Sequence, residues 1–230
     1  MELVREAKLG ASLPSAERAV APDGERLPPL YGPLRAGTRR LLETLFDLEV
    51  PGLERLPADG PYIVAANHHN YLDGIVLCAA LPRRISFLVM PRVYHATRLH
   101  PLVHRWAGSI PLNLARPDAG AIRHALGILE RGGVVGIFPE GPFSVCGRLE
   151  RGQPGVALLA LRSGAPVVPI GIQGTYQALV GRRLYVPRRH PLRVRIGVPR
   201  AFAAARPAGH RATREEVTRR IMADIAALLS

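Results

Sequence analysis

Pro61-Tyr62-Ile63-Val64-Ala65-Ala66-Asn67-His68-His69-Asn70-Tyr71-Leu72-Asp73 is the stretch that decides how the chain is read. From Pro61 to Ala66 it is apolar and partly β-branched, the pattern of a buried strand. From Gly74 to Ala80 it is again apolar and free of proline, and reads as helix. Asn70 sits where its side-chain oxygen can accept from an orphan amide of the first helical turn. His68 and Asp73 therefore fall at a strand-to-helix junction, where open α/β sheets hold their ligands. A turn across the junction brings carboxylate and imidazole together. An aspartate on one ring nitrogen fixes the tautomer and leaves the other nitrogen as a base. The positive end of the following helix disfavours the imidazolium. The plainer alternative is a histidine that is only structurally satisfied. His69 carries no role in this reading, and its loss is expected to be tolerated far better than that of His68.

A second cluster shifts the balance towards chemistry. Val134-Val135-Gly136-Ile137-Phe138 is another apolar strand, and it runs out into Pro139-Glu140-Gly141-Pro142-Phe143-Ser144. Outward from these two junctions the same alternation continues. Leu34 to Leu48 has a leucine stripe at helical spacing, with Arg35, Arg39 and Arg40 mostly off it. That pattern fits a helix packed on a core, or one lying among lipid headgroups. Val50 to Gly60 is loop. Ile85 to Met90 reads as strand, Tyr94 to Trp106 as one helix and Gly108 to Leu112 as a short strand. His100 and His104 are spaced as metal ligands would be, but no third ligand is near them, so no metal is assigned. Asp118 caps a helix that Gly132 ends. Pro154 opens a helix and Gly164 closes it. Val167 to Ile172 is a buried strand, Leu192 to Ile196 an alternating edge strand, and Thr213 with Glu216 a capping box for the last helix. Strand alternating with helix predicts a single-domain α/β fold, a mixed and mostly parallel sheet flanked by helices. Residues 1–33 read as an irregular arm and 34–230 as the folded domain.

The balance of 31 basic against 18 acidic residues gives a formal charge of +13. Lys8 is the only lysine, so arginine carries nearly all of it. Such a charge fits an anionic partner (a membrane, a nucleic acid or an acidic carrier protein) or a genome that favours arginine codons. Cys78 and Cys146 lie in apolar contexts and are expected to be free and buried. No apolar run is long enough for a membrane span, and the first residues lack the apolar core of a secretory signal. A cytoplasmic protein, peripheral on the inner face of the cell membrane, is the expectation.

Asn67-His68 with Asp73, followed downstream by Phe138-Pro139-Glu140-Gly141, resembles the PlsC-type glycerolipid acyltransferases. Gly108-Ser109-Ile110-Pro111-Leu112 and Pro166-Val167-Val168-Pro169-Ile170 resemble that family's second and fourth blocks, in the right order. The resemblance runs from about Leu34 to the C-terminus. It implies transfer of a fatty acyl group from an acyl thioester, acyl-CoA or acyl carrier protein, to a hydroxyl of a lysophospholipid or lipid alcohol, with no further cofactor. His68 would be the general base and Asp73 its orienting partner. Glu140, Gly141 and Ser144 would help to hold the acceptor. Backbone amides near Gly141 or in the His68 loop would stabilise the oxyanion.

The chain departs from the family at two places. Phe143 and Leu114 stand where the family usually has arginines that hold the acceptor's phosphate. Arg116, Arg148 or Arg151 could substitute, or the acceptor could lack a phosphate there. Two rival readings belong to other classes: a catalytically silent lipid- or carrier-binding module, which the retained His68 and Asp73 argue against, and a nucleic-acid-binding protein. The arginines are scattered and form no nucleic-acid motif, so no nucleic acid is expected.

Overall fold

The structure is a computed structural model and describes residues 27–95, 98–112, 118–179, 186–202 and 213–230. It is built outward from β1 (Tyr62–Ala66), every residue of which is fully buried. Successive side chains of a strand point to opposite faces. Tyr62, Val64 and Ala66 therefore join one core, and Ile63 and Ala65 join the other. Burial on both faces is why this strand reads as an unbroken apolar run.

Five further strands complete the sheet: β2 (Ile85–Val89), β3 (Ile110–Pro111), β4 (Val134–Ile137), β5 (Val167–Gln173) and β6 (Arg193–Ile196). Their order is β3-β2-β4-β1-β5-β6. All neighbours are parallel except β5 and β6. The expected α/β class and mostly parallel sheet are thus what the chain adopts. On one face lie α1 (Tyr31–Phe46) and α2 (Leu72–Ala80), which bury Leu42, Phe46, Val76 and Leu77. On the other lie α5 (Ala119–Glu130), α6 (Gly155–Ser163) and α8 (Arg214–Leu229), which bury Leu129, Leu159, Val217 and Ile221. The C-terminal ends of β1 and β4, paired neighbours, put His68 and Glu140 at the same edge of the sheet.

Local signals set the boundaries. Asp118 Oδ1 accepts from the Ala121 amide at 2.9 Å. Thr213 and Glu216 form the reciprocal capping box, at 3.1 and 2.9 Å. Gly136 in β4 answers a packing demand. A Cβ there would lie 2.4 Å from the Phe87 ring. Its absence lets Phe87 stack on Phe138, centroids 5.3 Å apart, under the site described below. At the outer edge β6 is antiparallel, and Glu49 covers part of it by accepting from Arg193 Nε at 2.7 Å.

Three expectations from the sequence change. Helix α1 already includes Tyr31, so its first turn takes residues assigned to the arm; residues 1–26 lie outside those described. The single helix expected from Tyr94 to Trp106 is instead α3 (Pro91–Tyr94) and α4 (His100–Ala107). Pro101 has no amide to continue a helix but suits a first turn, so it starts a new one. Of the two thiols expected to be buried, Cys146 is exposed; Cys78 is half-buried and burial pushes its thiol up to about 11. Arg35 and Arg39, off the leucine stripe, also find partners within the protein. They donate to the Leu81 and Ala80 carbonyls at 3.0 and 3.1 Å and so cap the C-terminus of α2. The face opposite leaves Leu34 and Leu41 exposed, so α1 packs on the core and presents an apolar edge at once.

Candidate active site

The site starts with Asn67, fully buried just past β1. Its side chain accepts from the Ile172 amide at 2.7 Å and donates to the Ile172 carbonyl at 2.9 Å. The amide side chain thereby continues the β1–β5 pairing by one more step, and the main chain is released to turn. Asn70 closes that turn. Its Oδ1 accepts from the Leu72 amide at 2.9 Å, as expected of a helix-start residue, and its Nδ2 donates to the Thr175 carbonyl at 2.7 Å. Thr175 opens α7 (Thr175–Ala178), directly after β5.

Between these two anchors stands His68. Its Nδ1 lies 2.9 Å from Asp73 Oδ2. The same oxygen accepts from the His69 amide at 2.6 Å and the Asn70 amide at 2.7 Å. Three donors converge on one oxygen, so Asp73 is an acceptor there and Nδ1 carries the proton. The other oxygen, Oδ1, is buried and has no hydrogen bond to any described residue. Nε2 of His68 is left with its lone pair, and the side chain keeps 12% exposure. One ring face stacks on Phe138, centroids 3.7 Å apart and planes within 6°. Phe143 meets the ring edgewise at 4.4 Å, and Tyr71 in turn meets Phe143 at 4.6 Å. A base with one nitrogen pinned, its ring clamped and its other nitrogen without a hydrogen bond among the described residues can take a proton from a hydroxyl without reorienting.

Glu140 is nearly fully buried, at 3% exposure. Its Oε1 accepts from the His68 amide and its Oε2 from the Glu150 amide, both at 2.7 Å. Burial holds its carboxyl above the ordinary range, against the pull of those two amides. The carboxylate expected to hold an acceptor is thus turned onto the protein's own backbone. Gly141, with φ of 83°, makes the turn that follows, and its amide donates to the Phe138 carbonyl at 3.0 Å. Ser144 is buried, and its amide donates to the His68 carbonyl at 2.8 Å. The amides of His68, His69, Asn70, Gly141 and Ser144 are therefore all engaged within the protein. This corrects the expectation that they are open to an oxyanion. Arg148 and Arg151 are exposed. Arg116 and Leu114 lie outside the described residues. His104 stacks on Tyr94 at 5.2 Å and its Nδ1 lies 3.2 Å from Ser109 Oγ, a packing role.

The sequence reading left His69 without a role, and the structure supplies one. The ring is 9% exposed, with Nε2 3.4 Å from Asn67 Nδ2 and Nδ1 3.4 Å from Thr175 Oγ1. Burial lowers it below the ordinary imidazole value of 6.5. His69→Ala is expected to cost about 2–4 kcal/mol in stability through the cavity it leaves, while the folded fraction keeps the His68–Asp73 pair. The sign of the pH effect follows. Above 6.5 both folded and unfolded forms are neutral and the ring costs nothing. As pH falls through that value the unfolded form takes the proton first, so stability drops. Denaturant titrations at pH 7.5 and 5.5 should show a shallower acid loss for His69→Gln than for the wild type. Equal slopes would remove His69 from the acid response.

A family model described as Acyltransferase matches residues 47–173, which span both junctions. The chain belongs to this acyltransferase family. The Brassica napus protein named 1-acyl-sn-glycerol-3-phosphate acyltransferase BAT2, chloroplastic, is 30% identical over 137 residues, 56% of this chain and 38% of its own length. The Bacillus subtilis 1-acyl-sn-glycerol-3-phosphate acyltransferase is 27% identical over 163 residues, 66% of this chain and 73% of its own. The chain thus spans well under half of the plant relative. The crystal structure of the Thermotoga maritima 1-acyl-sn-glycerophosphate acyltransferase, PlsC, superposes with a TM-score of 0.71 at 22% identity, over 86% of this chain and 77% of that one. This likeness establishes the acyltransferase fold. Among the residues that shape the site, Asn67, Phe138 and Thr175 had no role assigned from sequence. A polar residue ending an all-apolar strand was the legible sign of Asn67. Gly174-Thr175 after β5 marks a third junction at the same sheet edge.

Proposed function

We propose that the protein transfers a fatty acyl group from an acyl thioester, acyl-CoA or acyl carrier protein, to a lipid hydroxyl. The observation that carries this reading is the His68–Asp73 pair, with Nδ1 pinned at 2.9 Å and the ring partly open. His68 Nε2 takes the hydroxyl proton as the oxygen attacks the thioester carbonyl. The tetrahedral intermediate then expels the thiolate, which takes up the proton from the imidazolium. Asp73 stabilises the imidazolium in between. A thioester is already activated, so no covalent enzyme intermediate and no cofactor is needed. A silent binding module would have no use for a base held in this way.

The acceptor is a lysophospholipid or a lipid alcohol. Phe143 is buried against His68, and an aromatic ring offers a phosphate no donor. Lysophosphatidic acid is therefore expected to be a poorer acceptor than headgroup-bearing lysolipids or uncharged lipid alcohols. The test offers acyl-CoA and an equimolar pool of these acceptors and reads the products by mass spectrometry. A strong preference for lysophosphatidic acid would overturn the acceptor assignment. If Arg148→Ala or Arg116→Ala then abolished that preference, the phosphate site would be located on that arginine. No acylated product from any acceptor, with either thioester, would overturn acyl transfer itself.

No described helix is long and apolar enough to cross a membrane. An anionic membrane surface is nevertheless the proposed working partner, on the cytoplasmic face. Leu30, Leu34 and Leu41 around α1 and Leu99, Leu102 and Val103 around α4 are all more than half exposed. Tyr31 and Trp106, 5.3 Å apart, join the two helices. No acidic residue occurs between Asp73 and Asp118, a span that holds Arg92, Arg98 and Arg105. Apolar side chains rimmed by arginine suit anionic headgroups over acyl chains. Cosedimentation with vesicles containing phosphatidylglycerol should be salt-sensitive, and Leu102→Glu should weaken it about tenfold, the worth of one buried leucine. Binding that ignores both salt and Leu102→Glu would remove this face from the proposal.

A further inference from the structure

We propose that Glu140 is a positioning residue, whose carboxylate sets the place of His68 by gripping its main chain. This rests on the reading of His68 as the base. The His68 peptide is held from both sides by the segment that follows β4. Its amide donates to Glu140 Oε1 at 2.7 Å, and its carbonyl accepts from the Ser144 amide at 2.8 Å. The second oxygen of Glu140 is fastened in turn by the Glu150 amide at 2.7 Å. Gln153 donates to the Pro139 carbonyl at 2.7 Å, so the loop carrying Glu150 is tied at two points. The carboxylate thus bridges two loops from the sheet edge. The ring is fixed independently, by Asp73 at Nδ1 and by Phe138 on its face. With both main chain and ring fixed, the direction of Nε2 is set before any substrate arrives.

A carboxylate is the group this geometry requires. Two buried backbone donors point at two oxygens, and only an ionised carboxyl accepts equally at both. Glutamine offers one acceptor and one N–H₂, so one of the two amides would face a donor. Aspartate keeps the charge but is shorter by a methylene and cannot span both amides at these distances. The loop carrying Glu150 keeps its separate tie from Gln153 to the Pro139 carbonyl in either variant. The expected first response is therefore a shift of the His68 loop.

The experiment joins kinetics to a resonance. In Glu140→Gln, kcat is expected to fall about tenfold to hundredfold, the scale of a catalytic group displaced by up to about 1 Å. The acceptor KM should stay within about twofold, because in this account the carboxylate touches protein and not lipid. In the free protein, the low-field proton on His68 Nδ1, assigned by its loss in His68→Ala, is expected to move or broaden in both Glu140→Gln and Glu140→Asp. A raised KM with kcat and resonance unchanged would instead make Glu140 an acceptor ligand and overturn the proposal. So would an unchanged resonance with unchanged kcat. If neither variant folded, the carboxylate would be a requirement of the fold as a whole, and a role confined to His68 would be overturned too. The resonance is read without substrate. A wild type inactive with every thioester would therefore sink acyl transfer and leave the positioning claim to be decided on its own.

Discussion

His68→Ala is expected to lower turnover by roughly 10²–10⁴-fold, the usual worth of a single general base, in a protein that still folds. The ring belongs to the loop at the sheet edge, is partly exposed, and its hydrogen bond to Asp73 is the only one its side chain makes among the described residues. Its main-chain anchors to Glu140 and Ser144 do not depend on the side chain. Removing the ring takes away the proton acceptor and frees a small volume against Phe138 and Phe143. The measurement is steady-state turnover together with a thermal melt of the same preparation. Turnover near wild type in a folded His68→Ala protein would sink the mechanism. A low turnover in an unfolded one would not count towards it, which is why both readings are needed.

Asp73→Asn is expected to cost less, roughly 10- to 10³-fold. The expectation from sequence was damage through the wrong tautomer. The geometry argues otherwise. Three N–H donors, one from the His68 ring and two from backbone, converge on Oδ2. An asparagine keeps all three bonds only if its oxygen takes that place, and the two buried amides hold it there. The imidazole therefore keeps its proton on Nδ1, and what is lost is the charge that balances the imidazolium. A charge-assisted hydrogen bond exceeds a neutral one by about 1–2 kcal/mol, which sets the lower figure. Coulomb attraction at an effective dielectric of about 20 amounts to about 4 kcal/mol at 4 Å, which sets the upper. The new N–H₂ falls at the Oδ1 position, buried and without a hydrogen-bond partner among described residues, so a loss of stability of about 1–3 kcal/mol accompanies it. Ring nitrogen shifts would show which nitrogen is protonated. A proton moved to Nε2, with activity as low as in His68→Ala, would restore the tautomer explanation.

Much of this was legible in the sequence. Junctions are readable because a buried parallel strand must be apolar throughout, as Tyr62–Ala66 is, and because caps such as Asp118 and Thr213 act within a turn of themselves. The His68–Asp73 pairing was readable for the same reason: both residues belong to one local turn. What could not be read is where each buried carboxylate or amide would find its partner across the fold. Glu140 was assigned to the acceptor through the family resemblance, and its partners lie outside its own strand end. Its need is for amides at His68 and Glu150. His69 looked idle because Thr175 lies far along the chain. The split of α3 from α4 was legible at Pro101 and was overridden by the apolar spacing on either side of it.

The anchors of the site have a consequence for how the protein comes into being. Asn67 and Asn70 are each bonded to partners 105 positions further on, and His68 to one 72 positions further on. Contacts so distant in the chain form late, because the loop they close must be ordered first. A chain growing from the ribosome has made His68 and Asp73 long before it makes Glu140, Ile172 or Thr175. Until those arrive the pair lies in a tether with no fixed direction. The geometry of the pair is thus completed only when β4 and β5 have closed on either side of β1, so a half-made chain has His68 and Asp73 without the setting that directs them.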